Sequence, residues 1–386
     1  MNLPKDIIYI GVDDRELDLF EGMYIVPDGM AYNSYVILDE KIAVFDAVEQ
    51  RFGDEWLGKL EAALNGRTPD YLIVQHMEPD HSANIAAFMA KYPAAIIVAT
   101  AAAFPMLQNF YGESYADRKL AVKDGDTLEL GSHKLRFIAA PMVHWPEVLM
   151  TYDETAKTLF SADAFGKFGA SDAEDDEGWS CEARRYYFGI VGKYGAQVQA
   201  VLKKLAGVEI AAICPLHGPQ LTEDIGYYLD LYNTWSSYGV ETEGVAIFYT
   251  SVYGHTKAAA ELLAETLKEK GCPKVAVSDL AREDMAECVE DAFRYGKIAL
   301  CTTTYNNGCF PFMREFIEHL TERGWKNRRI GLIENGSWAP AAAKAMRALL
   351  ESCKNTTYCD TTVTIKSALS DATREAIGRL ADELLA

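Results

Sequence analysis

The stretch His76-Met77-Glu78-Pro79-Asp80-His81 follows directly on the apolar run Tyr71-Leu72-Ile73-Val74. The run has the length and composition of a buried β-strand. The hexapeptide H-x-E-x-D-H sets four metal-binding side chains at the point where that strand ends. Imidazole and carboxylate together suit a first-row transition metal. A polar loop at a strand end is the alternative, and distant partner ligands decide between the two.

Three other segments repeat the strand-then-loop context. His144 lies in Ala140-Pro141-Met142-Val143-His144-Trp145-Pro146, Asp163 in Phe160-Ser161-Ala162-Asp163-Ala164-Phe165, and His217 in Cys214-Pro215-Leu216-His217-Gly218-Pro219. A single loop His or Asp is usually solvated or caps a turn. Loops at one edge of a sheet converge, however, and three such residues accompanying the hexapeptide read as a shared site. His133, in a polar turn, and His319, on a charged helix, lack that context and are set aside.

Working outward, the first part of the chain mixes strands and helices. Strands are expected at Ala31–Leu38, Lys41–Phe45, Asp70–Gln75, Ala95–Ala99, Lys134–Ala139, Val148–Tyr152, Thr158–Phe160 and Glu209–Cys214. Helices are expected at Trp56–Leu64, from about Ser82, and as one long element over Glu182–Leu205. This pattern suggests an α/β sandwich. From Gly244 the pattern is regular. Strands at Val245–Tyr249, Lys274–Ser278, Lys297–Cys301, Arg329–Ile333 and Thr361–Ile365 alternate with helices at Lys257–Lys270, Arg282–Arg294, Phe312–Thr321, Ala341–Cys353 and Asp371–Leu385. That alternation is the signature of a doubly wound parallel sheet. The expected domains are 1–243 and 244–386, and 386 residues suit two domains.

The 37 Lys and Arg against 57 Asp and Glu give a net charge of −20, which disfavours nucleic acid and anionic lipid as partners. No run reaches the roughly 18–20 apolar residues of a membrane span. The N-terminus lacks a signal-peptide pattern, so a cytoplasmic protein is expected. The eight cysteines form no C-x-x-C pair, which argues against a rubredoxin-type centre, a zinc ribbon or a ferredoxin cluster. They read as buried thiols.

In the second half, Thr250-Ser251-Val252-Tyr253-Gly254-His255-Thr256 joins the first strand to its helix. Hydroxyls, a glycine and helix N-terminal N–H groups make a nest for a phosphate. There is no Gly-rich dinucleotide fingerprint and no Walker lysine, so a mononucleotide is favoured. Thr302-Thr303-Thr304-Tyr305-Asn306-Asn307-Gly308 and Glu334-Asn335-Gly336-Ser337-Trp338-Ala339 follow the third and fourth strands, where a flavin ring would lie. Trp338 and Tyr305 are candidates to flank it. An ordinary polar strand–helix turn and packing aromatics are the plainer readings.

These motifs, with Ala31-Tyr32-Asn33-Ser34-Tyr35 upstream, resemble the flavodiiron proteins over essentially the whole chain. The resemblance implies an αββα metallo-β-lactamase-like sandwich followed by a flavodoxin-like domain. Hydrolases of the first fold usually carry His at the position of Glu78. The resemblance further implies two iron ions per chain: His76, Glu78 and His144 on one, Asp80, His81 and His217 on the other, Asp163 between them. Within the family the residue matching His81 is not always a ligand. FMN is the implied flavin, held by Ser251–Thr256, Thr303–Gly308 and Asn335–Trp338. The implied reaction is reduction of dioxygen to water or of nitric oxide to nitrous oxide. Electrons would come from an external donor such as rubredoxin, no rubredoxin extension following, within a head-to-tail homodimer or a dimer of such dimers. A dizinc hydrolase fused to a flavin module, a flavin electron carrier without metal, and a direct oxidase of a reduced deazaflavin stay open as alternatives. Two departures stand out: Ser82-Ala83 where relatives have Ser-Gly, and the Tyr186–Gly195 stretch. Ala83 should avoid left-handed backbone.

Overall fold

The computed structural model describes residues 3–174 and 177–386. The chain divides into two compact units, Met1–Asn233 and Thr234–Ala386.

The first unit is built on two sheets. One runs, in spatial order, Ile7–Tyr9, Tyr35–Leu38, Ile42–Phe45, Tyr71–Ile73, Ile96–Thr100 and Lys119–Val122. The other runs Thr127–Glu129, Lys134–Ala139, Leu149–Asp153, Thr158–Phe160 and Ala212–Cys214. Their inner faces share one core, where Phe45 of the first sheet stacks on Phe160 of the second with ring centroids 4.0 Å apart. Strand Tyr71–Ile73 is short but buried on both faces, which explains why Tyr71-Leu72-Ile73 carries no polar alternation.

Helices cover the outer faces. Gly53–Leu64 buries Trp56, Leu60 and Leu64, spaced one helical turn apart, and stops at Asn65 in left-handed conformation (φ 47°). The Trp56 indole donates to Ser34 Oγ (2.9 Å), and the Ser34 hydroxyl donates to the Phe45 carbonyl, which ties this helix to the first sheet.

The long helix expected over Glu182–Leu205 is not continuous. It comprises α-helix Ser180–Tyr186, a π-helical turn Tyr187–Val191, a 3₁₀ turn Gly192–Tyr194 and α-helix Gly195–Leu205. The physical reason lies at Gly189, where a Cβ would come within 2.9 Å of the Tyr24 ring. The Tyr24 hydroxyl donates to the Gly189 carbonyl (2.9 Å), so the wide turn accepts a side chain from outside the helix.

The second unit holds a parallel sheet in the order Val275–Asp279, Thr242–Tyr249, Tyr295–Tyr305, Arg329–Asn335, Thr357–Ile365. The strand order reverses between Thr242–Tyr249 and Tyr295–Tyr305, and such a switch point opens a ligand crevice beyond the carboxyl ends. Helices His255–Glu269 and Asp371–Leu385 pack on one face through Leu263, Leu267, Leu380 and Leu384. On the other face Phe316, of helix Pro311–Glu322, meets Phe248 at 4.6 Å. Tyr295–Tyr305 runs well past the expected Cys301. It turns through Asn306 (φ 46°) and Asn307 (φ 60°) into a two-residue strand, Gly308–Cys309. Positive φ at both turn positions is what asparagine tolerates best among non-glycine residues.

His133 lies in the first unit, and it is buried rather than exposed in its turn. Its Nδ1 lies 2.5 Å from Asp153 and its Nε2 3.0 Å from Asp6. The hydrogen bond to Asp153, against the opposing effect of burial, pushes its pKa up to about 9. An unfolded histidine titrates near roughly 6.5. The protonated ring therefore contributes stability fully below the unfolded value and loses it as pH rises through about 9. A His133→Gln variant should lower the denaturant midpoint at pH 6, with the gap to the parent closing above pH 9. A pH-independent gap would refute this role for the charge.

Candidate metal centre

Strand ends position every candidate ligand. The hexapeptide follows Tyr71–Ile73, with Glu78 extended (φ −60°, ψ 139°) and Pro79 opening a single helical turn, Pro79–Ser82. His144 sits between strands Lys134–Ala139 and Leu149–Asp153. Asp163 follows Thr158–Phe160, and His217 follows Ala212–Cys214. Ala162 (φ 51°) and Phe165 (φ 68°) flank Asp163 in left-handed backbone, which costs roughly 1–2 kcal/mol per non-glycine residue. Such cost persists only where surrounding structure over-determines the loop. The Ser161 hydroxyl does part of this by donating to the Ala164 carbonyl (2.6 Å).

The seven residues form two groups. In one, His76 Nε2 and His144 Nε2 lie 3.2 and 3.1 Å from Glu78 Oε2, and 3.2 and 3.1 Å from Asp163 Oδ2. In the other, His81 Nε2 and His217 Nε2 lie 3.1 and 3.4 Å from Asp80 Oδ2. These two nitrogens are 3.8 and 3.7 Å from Asp163 Oδ1 and 3.0 Å from each other. Asp163 thus turns one oxygen to each group. Both Asp163 oxygens, both Asp80 oxygens and His144 Nε2 are buried without a hydrogen-bond partner. Buried polar atoms left in this state are rare, and lone pairs converging on common points fit a pair of cations.

The outer contacts fix ring orientation. Glu147 Oε1 accepts from His76 Nδ1 (2.9 Å) and from the Met77 N–H (2.9 Å). The Ala31 carbonyl accepts from His217 Nδ1 (2.7 Å). Each Nδ1 therefore carries the proton, leaving Nε2 as a donor atom for metal. Asp46 accepts from the Gln75 N–H (2.7 Å), the Gln75 amide (3.0 Å) and the His76 N–H (3.3 Å), pinning the start of the loop. Sequence reading missed Glu147 and Asp46. Asp46 did carry a signal, because it too follows a strand, Ile42–Phe45.

Electrostatics agree with the geometry. Burial raises the Glu78 pKa, but the adjacent His144 and His76 imidazoles outweigh it and hold the carboxyl well below its usual range. Asp163 is held low, against burial, chiefly by the charge of the nearby His76 and by His144. For His144, burial is outweighed by Asp163 and Glu78, and its pKa is pushed up to about 9. Burial and the nearby His81 lower His217. Without metal, imidazole protons balance the carboxylates, so metal uptake must displace protons.

A cleft of about 280 Å³ opens on this site, lined by Leu17, Phe20, Glu21, Tyr32, Glu78 and Asp80 among others. Burial and the negative charge of Glu78 push Glu21 up to about 7. Glu21 was not foreseen; it lies in a hairpin, Leu19–Phe20 with Tyr24–Ile25, that carries no motif. Ala83 takes right-handed backbone (φ −58°), as expected for a residue replacing glycine there.

In the second unit, Gly254 (φ 88°) caps helix His255–Glu269, and Ser251 Oγ accepts the Gly254 N–H (3.1 Å). The Thr256 hydroxyl meets Thr303 (3.0 Å), linking the first two loops. Tyr253 and Trp338 are 89% and 92% exposed, so both rings are free to flank a flat ligand. Val252, His255, Tyr305, Asn306 and Asn307 are exposed beside them, with Gly308 half-buried. Thr304 Oγ1 instead accepts the Ala341 N–H (3.0 Å), and Asn335 is bonded through both amide atoms to the Ser367 main chain. Ser337 Oγ meets Ser367 Oγ (2.6 Å), which fixes the Gly336-Ser337 turn.

Glu147 gives a direct test of the outer contacts. Glu147→Gln keeps the shape but removes the charge behind His76. Metal affinity, measured by chelator competition, should fall about 10–100-fold with secondary structure unchanged. Unchanged affinity would refute the assignment.

Comparison with known proteins bears on the whole chain. Residues 30–218 match the ODP family beta lactamase, and residues 247–383 match flavodoxin. The chain is 29% identical over 360 residues to the anaerobic nitric oxide reductase flavorubredoxin of Salmonella arizonae, covering 90% of this chain and 74% of that one. The crystal structure of the flavodiiron protein from Giardia intestinalis superposes with a TM-score of 0.90 at 27% identity, over 98% of this chain and 94% of that one. The rubredoxin oxygen:oxidoreductase of Desulfovibrio gigas shares the fold, with a TM-score of 0.90 at 24% identity over 100% and 97% of the two chains. Two sheets bearing the metal-ligand loops, followed by a parallel sheet in flavodoxin order, make this chain a member of the flavodiiron proteins.

Proposed function

We propose that this chain reduces dioxygen to water, nitric oxide to nitrous oxide, or both, with FMN and two iron ions per chain. The observation that carries this reading is Asp163, whose two carboxylate oxygens face two separate ligand groups. Glu78 adds a hard anionic oxygen that favours iron over zinc. A relative named as a nitric oxide reductase supports an oxidoreductase of this type. When bound, the iron pair supplies the redox site for a diatomic gas and FMN supplies the store of electrons.

The residues of the chain set the conditions for that chemistry. His76, Glu78 and His144 hold one metal position, and Asp80, His81 and His217 the other. Tyr32 and Phe20 form an aromatic wall of the cleft, with Tyr32 6.2 Å from His81 and Phe20 5.4 Å from His217. Such walls exclude bulk water and admit small apolar gases. Both reactions consume protons, and the Glu21 carboxyl, at the cleft mouth beside Glu78 and raised in the metal-free site, is positioned to relay one. Ser251–Thr256, Thr303–Gly308 and Asn335–Trp338 surround the flavin position.

Electrons reach the flavin from an external carrier, with rubredoxin our proposed donor. Pairing head to tail with a second copy, or as two such pairs, would set the flavin of one subunit beside the metals of its partner. All eight cysteines are free and no helix among the described residues is long and apolar enough to cross a membrane. A cytoplasmic location is part of this proposal, and eight free thiols fit a reducing compartment.

Purified protein should contain two irons and one FMN per chain and consume gas with a chemically reduced donor. Steady-state rates for each gas then set the preference. Zinc in place of iron, with no gas consumption, would refute the reading in favour of a hydrolase. Full activity in a sedimenting monomer would refute the dimer.

A further inference from the structure

At its amino edge the parallel sheet of the second unit places Val245, Lys297, Arg329 and Thr357 in one row across four strands. Lys297 and Arg329 are therefore direct cross-strand neighbours, an arrangement in which like charges repel. A cleft of about 390 Å³ opens there, lined by Arg328, Asn327, Asn355 and Glu243 as well. Three cationic side chains against one carboxylate is an unusual balance for a chain of net charge −20.

Arg328 is the least ordinary of these. It is 2% exposed, and its guanidinium donates only to main-chain carbonyls, those of Tyr238, Gly239, Phe293, Lys326 and Asn327. No carboxylate pairs with it among the described residues. Its Nε and that of Arg329 are buried without a hydrogen-bond partner. Arg329 otherwise reaches the Cys359 thiol, and the Lys297 ammonium has one long bond, 3.4 Å to the Leu385 carbonyl. The carboxylate of Glu383, on the last helix, feels Arg329 but is bonded to the Thr361 N–H (2.9 Å) and hydroxyl (2.5 Å). Glu243 is exposed.

We propose that this cleft binds a small anion carrying a phosphate group. The Arg329 guanidinium and the Lys297 ammonium match a tetrahedral dianion, Arg328 adds positive charge from beneath while its own fork stays on main-chain carbonyls, and the Asn327–Asn355 amide pair (3.1 Å) lies at the rim. The volume lies within the roughly 300–1,000 Å³ range of small-molecule sites and exceeds what one phosphate fills. The site is separate from the flavin phosphate loop, which lies at the opposite, carboxyl edge of the same sheet.

Calorimetric titration of the FMN- and metal-loaded protein tests this, with inorganic phosphate and adenosine monophosphate as probes at constant ionic strength. Loading keeps the flavin loop occupied. Saturable binding should weaken about tenfold or more in Arg329→Gln and in Lys297→Gln, as expected for loss of a charge-assisted bond. Lys297→Gln alone suffices if the arginine variant does not fold. Tighter binding of adenosine monophosphate would assign the site to a phosphomonoester. Tighter binding of phosphate would assign it to the free ion. Either result supports the proposal. Titrations that do not saturate, or affinities equal in parent and variants, would overturn it.

Discussion

A carboxylate buried among four imidazoles is the constraint around which the first unit is arranged. Asp163 is 1% exposed, and neither of its oxygens has a hydrogen-bond partner. Its ionised form is tolerable only beside cations, whether protonated rings or metal ions. Removing any neighbouring ring would leave charge exposed to a low-dielectric interior. The positive backbone angles at Ala162 and Phe165, the carbonyl that orients His217 and the Glu147 carboxylate that orients His76 all serve that one arrangement.

The second unit uses the same architectural device for different chemistry. In both units the groups that can bind a ligand lie in loops after strand ends. In the first, side chains of His, Asp and Glu converge at a point. In the second, hydroxyls, amide groups and two exposed aromatics share the loops after the strands, a composition that suits a planar ring with a phosphate tail.

Much of this was legible in the sequence, because strand-end position and ligand chemistry are both local properties. The seven candidate ligands share that context, and the structure brings all seven together. The parallel sheet was legible because its strands are apolar and regularly spaced. What escaped notice depends on distant contacts. Glu147 and Asp46 act through His76, and no spacing rule connects them to it. His133 is set aside as a residue of a polar turn because its partners, Asp6 and Asp153, are remote in sequence. Apolar periodicity over Glu182–Leu205 read as one helix, yet the break is set by Tyr24 pressing on Gly189. Thr304 and Asn335 sit in loops whose composition suggests a ligand, while their side chains brace neighbouring loops.

His217 hydrogen-bonds Ala31, and Asn33 donates to the carbonyls of Pro215 and Gly218. These bonds span up to 186 positions along the chain. Strand Ala212–Cys214 completes the second sheet by pairing with Thr158–Phe160. The hexapeptide therefore leaves the ribosome long before the strand that closes its site. At roughly 5–20 residues per second, the interval is seconds to tens of seconds. During that time the His and carboxylate groups of the hexapeptide lack the strand and loop that enclose them in the finished unit. The geometry that encloses the ligands is thus a property of the finished unit and not of the hexapeptide that carries four of them.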